Sequence, residues 1–298
     1  LYPNYMEEMN KVFDQGYDAA VAYRNSKNWN DNWIASCSGL TFMAFNTFDN
    51  KPKSRLGLNV TISGTGFYIS HKLLKKVGGY KFFTLTEDYE FKLYSTLNNI
   101  ETTYCESAKF YDEQPTKMKV SWNQRLRWCK GFSQANKIYN KKLLQSAIKV
   151  KGKARVNQML TILGVIPIAV TIASILIYQI VNFVLMIIAL AIGYPGWYMP
   201  GIGFGASGLA LYLFLMLYTF ILILVERKNM KMSFWSSIIT ILMNPLFMLL
   251  YLPIYVTAFF KKEVKWVAIE HTRVVDPVTG EIINAEKKKE TQEKTEGY

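Results

Sequence analysis

Gln124, Arg127 and Trp128 fall at i, i+3 and i+4 within Gln124-Arg125-Leu126-Arg127-Trp128, so on a helix they share one face. An amide, a permanent cation and a large aromatic plate side by side suit a diphosphate next to a sugar ring. A guanidinium pairs bidentately with phosphate oxygens, and an indole stacks on apolar ring faces. Upstream, Thr86-Glu87-Asp88 places two carboxylates behind a residue able to cap a helix. Asp88 would then sit in a first turn, where the positive helix end favours an ionised carboxylate that can accept a proton. Arg125 and Lys130 point elsewhere on the same helix and read as general positive potential. Each of these residues alone is commonplace on a core or surface; the joint pattern points to chemistry.

A QxxRW pentapeptide some tens of residues after a TED tripeptide, followed by long apolar runs, resembles the processive inverting glycosyltransferases of family 2. Cellulose, hyaluronan, chitin and poly-N-acetylglucosamine synthases belong to that group. The resemblance implies transfer from a nucleotide sugar, a UDP-sugar above all, to a growing polysaccharide. Asp88 would be the base that takes the acceptor's proton, with Glu87 orienting a neighbour or hydroxyl. Arg127 and Gln124 would hold the donor diphosphate, and Trp128 would be the floor for the acceptor's terminal sugar. Ser63-Gly64-Thr65-Gly66-Phe67 also matches, since glycines let backbone N–H groups approach a sugar or phosphate closely. An ordinary glycine turn explains Gly64, Thr65 and Gly66 equally well. Glu113, in Tyr111-Asp112-Glu113-Gln114-Pro115, matches a region that helps shape the family's acceptor site, or belongs to a polar turn. The resemblance further implies a divalent cation, Mg²⁺ or Mn²⁺. Its Asp-x-Asp ligands are absent from the sequence and are expected upstream, so the chain reads as a C-terminal piece, inactive alone. Two other readings stay open: single-step transfer to a polyprenyl phosphate or membrane lipid, and a non-catalytic transporter or scaffold.

The elements that must position these residues alternate between strand and helix, which implies an α/β layer; in family terms it is one half of a GT-A fold, here followed by an α-helical transmembrane region. Residues 18–23, 58–62, 67–70, 102–105 and 108–111 read as strands. Pro3 to Met9 opens an amphipathic helix, His71 to Val77 forms a helix stopped by Gly78-Gly79, and Thr86 caps the next. The motif helix begins near Lys119. The resulting division is an acceptor half-domain over 1–132, a basic interfacial helix over 133–155, a membrane region over 156–260 and a cytosolic tail over 261–298. The Lys/Glu-rich tail is expected to lack structure after about 276. Trp266 to Thr272 resembles a tryptophan-led segment of the family that follows the membrane region.

Charge and hydropathy bound the class. Half of the 298 residues are hydrophobic and the formal net charge is +13. No charged residue occurs from Val156 to Val225, far beyond the roughly 20 residues that one crossing needs. Pro195, Gly196, Pro200, Gly201, Gly203 and Gly205 divide this run into spans within 156–193 and 206–225. A third apolar segment covers 234–260, interrupted at Asn244-Pro245 and Pro253. Twelve Lys and Arg between Lys117 and Arg155, with no Asp or Glu from Gln114 to Val225, place this approach on the cytosolic face against anionic lipid. Nucleic acid is not an expected partner. The lysines before and after 234–260 both look cytosolic, which conflicts with a single crossing between them. Three cysteines without paired spacing fit no disulfide framework or zinc site, and two histidines exclude a histidine-rich metal centre.

Overall fold

The computed structural model describes residues 1–264, 273–275 and 282–284. A small mixed sheet has the order β2-β1-β3. Its central strand β1 (Ala19–Ser26) pairs antiparallel with β2 (Phe67–Ile69) and parallel with β3 (Thr103–Asp112). The two short strands expected at 102–105 and 108–111 are one strand. Its register against β1 shifts between Ala22–Cys105 and Tyr23–Lys109, a bulge that interrupts the period-two pattern. The strand expected at 58–62 does not form. Its backbone is held by side chains instead of a neighbouring strand: Asn59 N–H donates to Asn157 Oδ1, Val60 N–H to Thr102 Oγ1 and Thr61 N–H to Asn50 Oδ1.

Helices wrap this sheet. α1 (Tyr5–Asp14) covers β1 and β3 through Tyr5, Met9 and Val12. α2 (Trp33–Ala44) is capped by Asn32 Oδ1 and runs into a π-helical segment, Phe45–Asn50, and the short α3 (Lys51–Arg55). α4 (His71–Val77) is capped by Ser70 and ends at Gly78 in the left-handed region, as the sequence predicts. α5 (Glu87–Leu97) carries the acidic pair.

α6 (Met118–Lys149) is one helix of 32 residues, so the basic stretch from 133 continues the motif helix and the chain breaks at Val150-Lys151. α7 (Gly152–Ala191) follows, with 40 residues, about 60 Å at 1.5 Å per residue. After a turn at Gly193, α8 (Tyr198–Glu226) begins before Pro200. The expected break over 200–205 is therefore helical. Pro200 lies in the first turn, where no N–H is needed, and Gly203 makes room for Asn182 of α7.

α9 (Phe234–Leu249) contains Pro245 without interruption, and the break falls at Leu250, before α10 (Tyr251–Phe260). Tyr198–Glu226 and Phe234–Phe260 are each long and apolar enough to cross a bilayer, and α7 contributes a shorter apolar stretch, Ile177–Ala191. The last turns of α8 are built into the domain core: Leu222 and Ile223 pack with Val21, Tyr23, Leu40, Met43 and Val60. In the tail, β4 (Arg273–Val275) pairs antiparallel with β5 (Ile282–Asn284), so Ile282–Asn284, within the stretch expected to lack structure, is a strand. Trp266 to Thr272 and the rest of the tail lie outside the described residues.

Candidate active site

Asp88 sits in the first turn of α5, half-buried, and its Oδ1 accepts the Tyr89 N–H at 2.8 Å. The Gly64 N–H is also directed at this carboxylate, and Gly64 lies close enough that a Cβ there would be 3.6 Å from Oδ2. Burial pushes the Asp88 carboxyl above the usual carboxylate range. The Tyr89 N–H opposes this, the Glu87 charge adds to it, and Arg127 and the Gly64 N–H pull it back down. Such a group is a better proton acceptor when ionised than an ordinary aspartate.

The Ser63–Gly66 loop that meets Asp88 depends on its glycines. Gly64 and Gly66 have φ of +69° and +66°, and a Cβ on Gly66 would fall 2.0 Å from the Phe110 ring. Thr65 N–H folds back onto the Ser63 carbonyl at 2.7 Å, and the Gly66 carbonyl accepts from Ala22 N–H at 2.8 Å. The loop is thus sewn to β1 while its apex faces α5.

Thr86 occupies the N-cap position but makes no capping hydrogen bond, contrary to the sequence expectation. Its hydroxyl is buried with no partner among the described residues, and the residue is pressed against α6: a Cβ on Gly131 would lie 2.5 Å from Thr86 Oγ1 and 2.7 Å from its backbone nitrogen. α6 instead secures the segment before α5 from outside. Arg127 Nη1 donates to the Leu85 carbonyl at 2.8 Å, and Gln134 Oε1 accepts the Leu85 N–H at 3.1 Å. Glu90 accepts the Phe83 and Thr84 N–H groups at 3.0 and 2.9 Å. Arg127, Gly131 and Gln134 form one helical face that grips residues 85–86.

Trp128 meets Phe42 of α2 edge-on, ring centroids 5.8 Å apart, and Gln124 lies half-buried one turn earlier. Arg125 is not general positive potential. It is fully buried, with its guanidinium 3.9 Å from the centre of the Phe247 ring and Nη1 donating to the Phe247 carbonyl at 3.0 Å. Lys130 likewise donates to the Ala258 and Lys261 carbonyls at 3.2 and 2.6 Å, the C-terminal end of α10.

Glu113 is buried, its carboxylate 3.6 Å from Lys27 Nζ. Asn28 and Gln114 exchange hydrogen bonds at 2.8 Å, which locks this loop to the one after β1. The preceding Asp112 turns the other way and forms an ion pair with Arg24. Asp88 and Gly64 therefore meet with Arg127 nearby, Trp128 lies against Phe42 of α2 one residue beyond Arg127, and Glu113 belongs to a neighbouring cluster. Sequence reasoning missed Arg24, Glu90 and Gly131. A lone arginine after the apolar run Ala19–Tyr23 and a glycine one turn beyond Arg127 were the available signals.

Among the described residues, no three His, Cys, Asp or Glu converge as metal ligands. Asp88 and Glu87 by themselves do not fit the donor set that a divalent cation requires.

Comparison with known sequences agrees with this geometry. Residues 1–260 match the model of glycosyl transferase family group 2. The probable glycosyltransferase YdaM of Bacillus subtilis (strain 168) is 31% identical over 93 residues, 31% of this chain and 21% of that relative, so the aligned part spans about a fifth of the relative's length. A match that runs from α1 through α10 takes in the acidic turn, the glycine loop and the motif helix together, and the chain belongs to glycosyl transferase family group 2.

Proposed function

We propose that this chain forms the acceptor side of a membrane-embedded inverting glycosyltransferase that extends a polysaccharide from a nucleotide sugar, a UDP-sugar, at the cytosolic face. The observation that carries the reading is the place of Asp88 in the first turn of α5, against Gly64 of the glycine loop, with Arg127 of the motif helix bonded to Leu85 just before that turn. An acceptor hydroxyl attacks the anomeric carbon, the bond from that carbon to the diphosphate oxygen breaks, and the proton passes to Asp88. Arg127 keeps further donors of its fork after bonding Leu85, and with Gln124 it stabilises the departing diphosphate. Trp128 supplies a stacking face for the acceptor, and Gly64, Thr65 and Gly66 border it. Glu87 orients the attacking hydroxyl, and Glu113 contributes to the acceptor side indirectly, through the neighbouring cluster it forms with Lys27. A divalent ion on the diphosphate is part of the proposal, with ligands beyond those described.

Hydropathy and docking support the membrane placement. α7 and α8 serve as a pair of crossings, whereas α9–α10 lies along the cytosolic interface. Both ends of α9–α10 are bonded to the sheet domain: Ser233 N–H donates to Asn30 Oδ1, and Lys130 holds the Ala258 carbonyl. This arrangement puts the lysines before and after the segment on one side. It also sets Phe234, Trp235, Phe259 and Phe260, all at least 70% exposed, at headgroup level. Single cysteines at Lys228 and Lys262 should then react with a membrane-impermeant maleimide from the same side, and one at Tyr194 from the other. Labelling of positions 228 and 262 from opposite sides would make α9–α10 a crossing.

For the reaction, Asp88→Asn in the full-length protein should leave UDP binding near the parental value and lower transfer by about 10²–10⁴. More than half the parental rate would remove Asp88 as base. Mass analysis of products from UDP-glucose, UDP-N-acetylglucosamine and UDP-glucuronate separates polymer from a single sugar on lipid.

A further inference from the structure

We propose that Arg24 is the positioning residue of the transfer site: it fixes the Ser63–Gly66 loop against Asp88 and ties Trp128 to the same frame. The inference rests on reading Asp88 as the base. Arg24 follows five buried apolar residues of β1 and is itself mostly buried. A guanidinium in such a strand is costly to desolvate, and an apolar side chain would fill the place at least as stably. Its surroundings show what the cation does there.

One fork reaches three segments that no single element connects. Nη1 donates to the Ser63 carbonyl at 3.0 Å, Nη2 pairs with Asp112 at the end of β3, and the guanidinium lies 3.5 Å from the centre of the Phe42 ring. Phe42 in turn carries the edge of Trp128. The Nε is buried with no partner among the described residues, so the orientation is not the one that satisfies every donor. It is the one that reaches Ser63, whose neighbour Gly64 directs its N–H at Asp88. A shift of the Ser63 carbonyl therefore moves a hydrogen bond on the base itself. Lysine has one nitrogen in place of two separate Nη donors and no planar face to lay on Phe42, so it does not reproduce this bridge.

Arg24→Gln and Arg24→Lys, with Asp88→Asn in parallel, test this in the full-length protein with the three UDP-sugars above. Arg24→Gln should lower kcat by about 10–100-fold, the scale of a small misplacement, with donor KM within about threefold of parental. Arg24→Lys should also lose rate. The acid limb of its kcat–pH profile should stay in place, whereas in Arg24→Gln the limb should move upward. Asp88 faces Glu87 and the Tyr89 N–H on its own helix, Arg127 from α6, the Gly64 N–H from the loop, Arg24 from β1 and the Tyr80 hydroxyl. Arg24→Lys keeps the positive charge that Arg24→Gln removes, and both lose the fork.

Amide exchange needs no turnover: residues 63–66 and 86–89 should exchange about tenfold faster in Arg24→Gln while β1 and β3 keep their protection. Unchanged exchange in the loop, or acceleration spread evenly over β1–β3 with kcat per folded molecule unaltered, would overturn the proposal. Full activity in Asp88→Asn would sink the base reading alone, and the loop exchange would still decide the role of Arg24.

Discussion

Asp88 and Lys92 lie one helical turn apart and both are shifted by burial, with opposite consequences for the two ends of the pH scale. Because burial raises the Asp88 carboxyl, the acid limb of kcat should fall above the ordinary carboxylate range, with rate gained as pH rises through it. A limb near pH 4 would contradict this. Lys92 is held at about 8 by burial first and by the Lys53 charge next, with Asp49 opposing, and its Nζ donates to Thr61 Oγ1 at 2.7 Å. Its folded value is depressed, so between about 8 and its unfolded value near 10.5 the unfolded chain binds the extra proton. Stability from this group is thus present above that window and lost as pH falls through it. Thermal denaturation of the parent and Lys92→Met at pH 7.5 and 9.5 should show the parent gaining relative to the variant on the alkaline side, by at most ~3 kcal/mol. Parallel curves would show that Lys92 is not desolvated.

At the scale of elements, the contact of α5 with α6 replaces the cap that the sequence suggests. Gly131→Ala would drive a methyl into the Thr86 backbone, so the variant should lose about 1–3 kcal/mol in denaturant unfolding. Thr86→Val should change stability by less than ~0.5 kcal/mol, since the hydroxyl it removes has no partner among the described residues. A loss near 1 kcal/mol for Thr86→Val would restore the capping role. Periodicity did mark α4, α5 and the motif helix, because their apolar spacing and stops are local. It could not mark the failure of the 58–62 strand, where Asn50, Thr102 and Asn157 arrive from distant segments to take the hydrogen bonds a strand would use.

Across the whole molecule, the end of α8 packs into the core around β1, and a carboxylate closes the joint. Glu226, buried at the end of α8, accepts from Tyr23 Oη at 2.6 Å, from Asn229 Nδ2 at 2.9 Å and from Thr47 Oγ1. Tyr23→Phe removes one of these donors and should cost about 1–2 kcal/mol. Glu226→Leu strands all three and should cost more, with faster tryptic cleavage at Arg227, Lys228 and Lys231 as the readout. Equal cleavage in parent and Glu226→Leu would show that the latch does not hold the loop.

The acidic turn, the glycine loop, the motif helix, the family and the apolar second half are legible in the chain's residue order, because each is written in residue types at short spacing. Only the tertiary structure separates the cation buried in packing from the cation that faces the acidic turn. Arg125 and Arg127 are two residues apart on one helix. One is buried under Phe247, and the other turns to Leu85 and Asp88. Arg24 entered the site only through partners 39 and 88 residues away in the chain. A guanidinium carries the same charge in every context, and what it binds depends on which carbonyls, rings and carboxylates the fold brings within reach.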